Sequence, residues 1–401
     1  MIAVLANRTY RHLFLAQVVA LVGTGLATVA LGLLAVDIAG AKGGAVLGTA
    51  MAIKMIAYIG VAPVVGAYAA RLPRRAFLVA MDLIRAGVAL ALPFVDQVWQ
   101  VYVLIFLLQS ASAGFTPTFQ ATIPDILPDE EDYTKALSLS RLAYDMESLT
   151  SPLLAAALLT VMNFHWLFSG TAIGFACSAL LVVSVTLPRG TAPPPRRSVW
   201  ANTTHGARLY LATPRLRGLL AVTLSAAAAS AMVIVNTPVL VTEVLGLARS
   251  QVAITLAAFG GGSMVSALLL PRILGRLSDR TVMLVAAAVL TLSLVLLGAT
   301  WLALADDYHW PIVLVGWLVL GAAYAATITP GGRLLRRSSD SDERPALFAA
   351  QFALSHVCWL VAYPLSGQIG AAAGIGFTFV ALSAVSLVGL AAAIVMWPSV
   401  D

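Results

Sequence analysis

The chain has 401 residues, of which 60% are hydrophobic and only 10% charged, against the roughly 25% charged that a water-soluble domain carries. That composition excludes a soluble globular enzyme and points to an all-α membrane protein. The net charge of +6 is no sign of nucleic-acid binding, because the basic residues follow a topological pattern, described below.

Twelve apolar runs are long enough to cross a bilayer as helices: residues 13–36, 46–70, 76–95, 98–121, 136–162, 166–187, 216–240, 252–273, 282–303, 311–329, 346–369 and 374–397. They are numbered here as spans 1 to 12. No small-residue cleavage site follows a short apolar core at the N-terminus, so span 1 is expected to stay in the mature chain.

Span 1 sets Gln17, Thr24 and Thr28 on one helical face and ends near Asp37. Span 2 carries Lys54, one of three lysines in the chain, on a stripe with Met51, Met55 and Tyr58. Lys54 lies about 12 Å below the end of the span nearest span 1, at 1.5 Å per residue. It reads either as a cavity or gate cation, or as a snorkelling lysine that reaches Asp37. On span 3, Asp82 and Arg85 are three apart and read as a local neutralising pair. Span 4 has a polar face of Gln109, Ser112, Thr116 and Gln120, and the acidic run at 129–132 reads as a solvated loop before a helix N-terminus. At the start of span 5, Asp145 is spaced to pair with Arg141, and Glu147 is either a proton carrier or an interfacial carboxylate.

The connection 188–214 holds three consecutive prolines followed directly by two arginines at 193–197, then a stretch over 198–212 expected to lie on the membrane surface as a helix. Beyond it, span 7 places Thr223, Ser230 and Thr237 on one face, and span 10 does the same with Trp317, Gly321 and Tyr324. On span 11, Phe352, His356, Trp359 and Tyr363 share a face. His356 reads as a proton-coupling group or as a hydrogen-bonded packing histidine. His356 and Cys358 are two apart and diverge by roughly 160° on a helix, so no metal cage is expected. Cys177 and Cys358 both fall within spans, and no disulfide between them is expected.

The halves repeat at a spacing of about 206 residues. Arg11, Asp37 and Gly40 answer to Arg217, Glu243 and Gly246, and the basic turn at 71–75 answers to 276–280. Gln17 and Thr24 answer to Thr223 and Ser230. A duplicated bundle predicts two halves that rock about a shared central site. The expected division is a six-helix bundle at 1–187, a cytoplasmic linker at 188–214 and a second six-helix bundle at 215–401. With both termini cytoplasmic, all Lys and Arg except Lys42, Arg249, Lys54 and Arg85 fall on the inner side. Arg outnumbers Lys and Ala is abundant, which hints at a GC-rich bacterial genome and thus a bacterial inner membrane.

Twelve spans in two related halves, a basic turn after spans 2 and 8 and a long central loop resemble the major facilitator superfamily. Its loop signature G-x-x-x-D-R-x-G-R-R is matched at Gly66, Arg71, Arg74 and Arg75 and departs at Ala70 and Pro73; Arg276 and Arg280 stand in the second copy. The resemblance implies a cytoplasmic gate at these residues, with its usual acidic partner missing. The stretch 114–125 and Ser151-Pro152 with its following small residues are similar to the drug and siderophore exporter branch. The resemblance further implies that spans 1, 4, 7 and 10 line the cavity and that spans 2 and 11 meet.

The sequence therefore predicts a monomeric secondary transporter, without cofactor or resident metal, that exports small amphipathic molecules against proton entry. The expected cavity residues are Gln17, Thr24, Thr28, Lys54, Tyr58, Gln109, Ser112, Thr116, Thr223, Ser230, Trp317, Tyr324 and Trp359. The proton-coupling candidates are His356, Glu147 and Asp145. Export of a metal ion or metal chelate is the alternative within transport, and a non-transporting scaffold or sensor is the alternative outside it. No phosphate-binding Gly-Lys loop is present, so direct drive by ATP is not expected.

Overall fold

The computed structural model describes residues 2–61, 72–187, 199–303, 309–338 and 344–397. Among them every long element is a helix and no strand occurs. Backbone groups in lipid find no water, so each span must close its hydrogen bonds within itself.

Span 1 lies in Arg8–Ala39, and span 2 in Gly43–Ile56 and the π turn Ala57–Val61. Spans 3 to 6 are Arg74–Ala91, Val98–Ile126, Glu130–Leu158 and His165–Val183. The expected surface helix follows as Val199–Ala212. Span 7 is Pro214–Val239, prolonged by the π turn Leu240–Val244, and spans 8 to 10 are Arg249–Leu274, Asp279–Ala303 and His309–Ile328. A short helix Gly331–Arg337 precedes Arg344–Met396, which holds spans 11 and 12 on either side of Gly374. Nine runs among the described residues are long and apolar enough to cross a membrane. Two of them, Arg8–Val61 and Ala350–Met396, each hold two spans, and span 5 stays outside the nine because of its charged first half. The protein is thus an all-α membrane protein of twelve membrane-spanning helices.

Local chemistry sets several helix ends. Asp129, in the acidic run, caps span 5 by accepting from the Asp132 backbone N–H at 3.0 Å. Gln97 and Gln100 form a reciprocal cap at the start of span 4. Gly40 and Gly246, the repeat partners, both turn the chain with φ of +53° and +64°, a conformation that costs a residue with a Cβ.

Contacts divide the chain into two units, Met1–Leu34 with Ile56–Pro195, and Ala35–Met55 with Arg196–Asp401. In the first, spans 1 and 6 touch through backbone: Thr171 Oγ1 donates to the Gly23 carbonyl at 2.8 Å, and Gly174 faces the Val19 carbonyl. Tyr10, Leu13, Leu78, Phe115 and Val182 fill the core at its basic end. Lipid tails are as apolar as leucine, so close approach and interhelical hydrogen bonds carry this packing more than apolar burial does.

The second unit is built the same way. Gly389 of span 12 meets the Ala221 carbonyl and Ser225 of span 7, as Gly174 meets span 1. Gly262 faces the Leu318 backbone and Gly321 faces the Phe259 backbone, which brings spans 8 and 10 together. Trp317, fully buried, anchors a core with Met232, Leu294 and Phe379. The surface helix docks through Tyr210, whose hydroxyl donates to Gln351. Burial pushes the Tyr210 phenol above its ordinary pKa, so it remains a donor there. The segment Ala35–Met55, assigned by sequence to the first bundle, packs in this unit. Gly44 lies against Gly367 and Gly48 against the Tyr363 carbonyl, so span 2 touches span 11 backbone to backbone.

Candidate functional site

Most hydroxyls of the predicted stripes bond back to their own helix. Thr24 donates to the Ala20 carbonyl, Thr28 to Thr24, Ser112 to Leu108 and Thr223 to Leu219, at 2.7 to 3.0 Å. This satisfies a polar group in lipid without a partner helix. Thr28 is exposed, Thr116 is half-buried, and Gln109 and Thr223 are buried.

A smaller set crosses between helices. In the first unit Ser140 of span 5 donates to Gln17 of span 1 at 3.0 Å. Glu147 and Ser151 press against Gly25 of span 1 so closely that a Cβ there would collide with both. The Asp145 side chain lies outside the described residues. In the second unit Trp359 Nε1 donates to Ser230 Oγ at 2.8 Å, and Trp317 Nε1 donates to Thr237 Oγ1 at 2.8 Å. Trp317 is thereby held as a core residue between spans 7 and 10. The Tyr324 ring packs at a tilt against that of Phe259, with centroids 5.4 Å apart.

The predicted face of span 11 is continuous. The rings of Phe352 and His356 are 4.1 Å apart, and those of His356 and Trp359 are 6.2 Å apart. His356 Nδ1 bonds to the Phe352 carbonyl at 2.6 Å, which fixes the ring against its own helix. Lys54 of span 2 stands close enough to act on His356 electrostatically. A titratable ring between aromatic neighbours, within electrostatic reach of a lysine, combines a proton acceptor with a surface suited to flat or cationic organic molecules. Tyr58 belongs to the first unit and sits in the π turn of span 2.

At the basic ends, Gly66 and Arg71 lie outside the described residues. Arg74 pairs with Asp125 at the exit of span 4, and Arg75 donates to the Val183 carbonyl. Asp125 thus supplies an acidic partner to the turn that lacks one at Ala70. In the second unit Asp279, only 2% exposed at its side chain, holds Arg337 at 2.8 Å and Arg333 at 3.3 Å. Arg280 donates to the Trp397 carbonyl at 3.3 Å, while Arg276 is exposed. Asp37 pairs with Arg249 at 2.6 Å at the opposite end.

Two groups of polar residues were not placed in the site by sequence. Asn236 of span 7, fully enclosed, donates to Ser366 Oγ of span 11 at 2.6 Å; an amide inside an apolar run is the signal that marks it. Asp82 and Arg85 do pair with each other as expected, but Asp82 also accepts from Ser178 of span 6 at 2.8 Å. No three His, Cys, Asp or Glu side chains among the described residues converge as a metal ion would require.

The profile of the Major Facilitator Superfamily matches residues 13–294 and, again, 219–400. Among curated relatives, macrolide efflux protein A of Enterococcus faecalis is 26% identical over 153 residues, 36% of this chain and 47% of that protein. Macrolide efflux protein A of Streptococcus pyogenes is likewise 26% identical over 153 residues, 35% of this chain and 38% of that protein. The chain therefore spans less than half the length of these relatives. Among solved structures, a bacterial homologue of the human lysosomal transporter Spinster has a TM-score of 0.76 at 13% identity, covering 97% of this chain and 96% of that one. The nucleoside transporter NupG, as its D323A mutant, has a TM-score of 0.74 at 14% identity, covering 97% and 100%. These structures share the fold alone. The profile, however, reaches both copies of the repeat and nearly the whole chain, and on that ground the protein belongs to the Major Facilitator Superfamily as a multi-pass membrane transporter.

Proposed function

We propose that this transporter exports small amphipathic organic molecules by proton antiport, with substrate held between the halves 1–187 and 215–401 that the linker 188–214 joins. The observation that carries the reading is the face of span 11, where His356 lies between Phe352 and Trp359 with Lys54 beside it. Aromatic surfaces suit lipophilic or cationic solutes, and a histidine titrates near neutral pH. The efflux activity named for the macrolide relatives supports the outward direction and an organic cargo.

In this reading the cavity is lined by Gln17, Thr24, Thr28, Gln109, Ser112, Thr116, Thr223, Ser230, Tyr324 and Trp359, with Lys54 and Tyr58 at its edge. Trp317 belongs to the same set, held by its bond to Thr237. His356 and Glu147 take up the driving proton, and Asp145 shares the end of span 5 with Glu147. Arg71, Arg74, Arg75, Arg276 and Arg280 form the cytoplasmic gate with Gly66, and both termini face the cytoplasm of a bacterium. The protein acts as a monomer.

The test is reconstitution of the purified chain in liposomes under an imposed proton gradient. Lipophilic cations and siderophore-like compounds are added in turn while internal pH is followed. Substrate-dependent proton flux is expected, with a sign that reports exchange. Absence of flux with every organic compound, together with flux on adding metal ions, would overturn the reading.

A further inference from the structure

Asp82 and Arg85 stand on span 3 within the membrane-length part of the helix, and both are enclosed, at 0% and 5% exposure. Asp82 accepts from Arg85 on its own helix and from Ser178 Oγ of span 6. The Arg85 guanidinium lies between two aromatic faces, 4.1 Å from the Phe115 ring of span 4 and 4.4 Å from the Phe175 ring of span 6. Its Nε is buried and makes no hydrogen bond. Tyr58 of span 2 and Tyr144 of span 5 are the titratable groups that reach Arg85 electrostatically from the remaining neighbours.

An ion pair in this position is expensive, because both charges leave water and lipid offers no compensation. The second unit shows that the packing does not require it. There the corresponding helices, spans 9 and 12, are joined by Thr291 and Ser386, whose hydroxyls meet at 2.8 Å. Thr291 lies 206 residues after Arg85 and Ser386 lies 208 after Ser178. Ser225 of span 7 completes that cluster by donating to the Ser386 carbonyl at 2.8 Å. The same joint is thus neutral in one copy and charged in the other. A charge retained where hydroxyls suffice points to a role that needs charge.

We propose that Asp82 is a proton-binding site of the transporter and that Arg85 is the counter-charge its protonation releases. The inference rests on the proton-coupled reading above and adds a site to it. A proton passes from water to the Asp82 carboxylate and back; Arg85 keeps its own proton throughout, so the pair changes from net zero to net +1. Protonation removes the negative charge that holds Arg85, and the uncompensated guanidinium then favours a packing of spans 3, 4 and 6 in which it regains an anionic or stronger acceptor partner. Differential proton affinity of two packings is the linkage that a proton-driven cycle requires. The enclosure of the pair suits a proton and not an organic molecule.

Infrared pH-difference spectra of the lipid-reconstituted full chain test this directly, alongside accumulation of ethidium under a proton gradient. The spectra are expected to contain a carboxylic-acid carbonyl band that disappears in Asp82→Asn, and gradient-driven accumulation is expected to fall at least tenfold. Asp82→Ala with Arg85→Thr installs the neutral solution of the second unit and supplies the same readouts if the single variant does not fold. An unchanged band in Asp82→Asn, or wild-type accumulation by the double variant, overturns the proposal. If the band belongs to Asp82 but the wild type shows no proton-driven flux, the antiport reading fails and the site stands. If flux is proton-driven but the band is not lost, the site fails and the antiport reading stands.

Discussion

Asn236 and Arg85 illustrate how differently one enclosed polar side chain can weigh in a membrane bundle. Asn236 donates to Ser366, and Ser366 also has the Ala231 carbonyl at 3.2 Å. Asn236→Ala therefore strands no partner and is expected to cost about 1 kcal/mol, the usual size of an interhelical hydrogen bond in lipid. Arg85→Ala leaves the Asp82 carboxylate buried with only Ser178, and is expected to cost about 3–5 kcal/mol. Removing both charges in Asp82→Ala with Arg85→Thr is expected to restore stability to within about 1 kcal/mol of the wild type, since a buried pair exchanged whole is often neutral. Reversible unfolding of the three variants in mixed micelles measures the order. Equal losses for Arg85→Ala and the double variant would show that the charge itself stabilises the bundle.

At the scale of elements, glycines decide how near two helices come. A Cβ on Gly321 of span 10 would run into the Phe259 carbonyl of span 8, whereas one on Gly87 of span 3 meets nothing within 4 Å. Gly321→Ala is therefore expected to lower stability by about 1–3 kcal/mol, and Gly87→Ala to raise it by up to about 1 kcal/mol through helix propensity. Thermal unfolding of the purified variants separates the two. This contrast also marks what was legible beforehand. Helix positions were, because apolar length and charge interruptions are local properties of the chain. The turn glycines Gly40 and Gly246 were, through the repeat, and so was the shared face of Phe352, His356 and Trp359, through helical spacing. The meeting of spans 2 and 11 through Gly44 and Gly48 was expected from the family resemblance alone, because periodicity says nothing of a helix more than 300 residues away. The bond from Ser178 to Asp82 was not legible, since a partner on another helix leaves no periodic trace. Polar stripes do not by themselves mark a water-facing side. Thr and Ser satisfy themselves on their own helix, so Thr24, Thr28, Ser112 and Thr223 look alike in sequence whether or not they face water.

For the whole molecule, each unit ties its own basic end with an aspartate, but the two ties are unequal. Arg74 meets Asp125 in a partly exposed pair, worth about 0–1 kcal/mol after solvent screening. Asp279 is nearly enclosed and holds both Arg333 and Arg337, so its loss leaves two cations without their partner. If such a tie opens and closes during the transport cycle, weakening it changes the balance between the two end states. Asp125→Asn is expected to change the ethidium transport rate less than fivefold, and Asp279→Asn by tenfold or more, at equal amounts of folded protein in liposomes. The two clusters share no residue. If each acts only on its own unit, the double variant multiplies the single effects to within about 0.5 kcal/mol. A larger departure would mean that opening of one tie is coupled to opening of the other through the transport cycle. The double-mutant cycle thus distinguishes local fastening of each unit from a joint gate, and it does so without knowledge of the natural substrate.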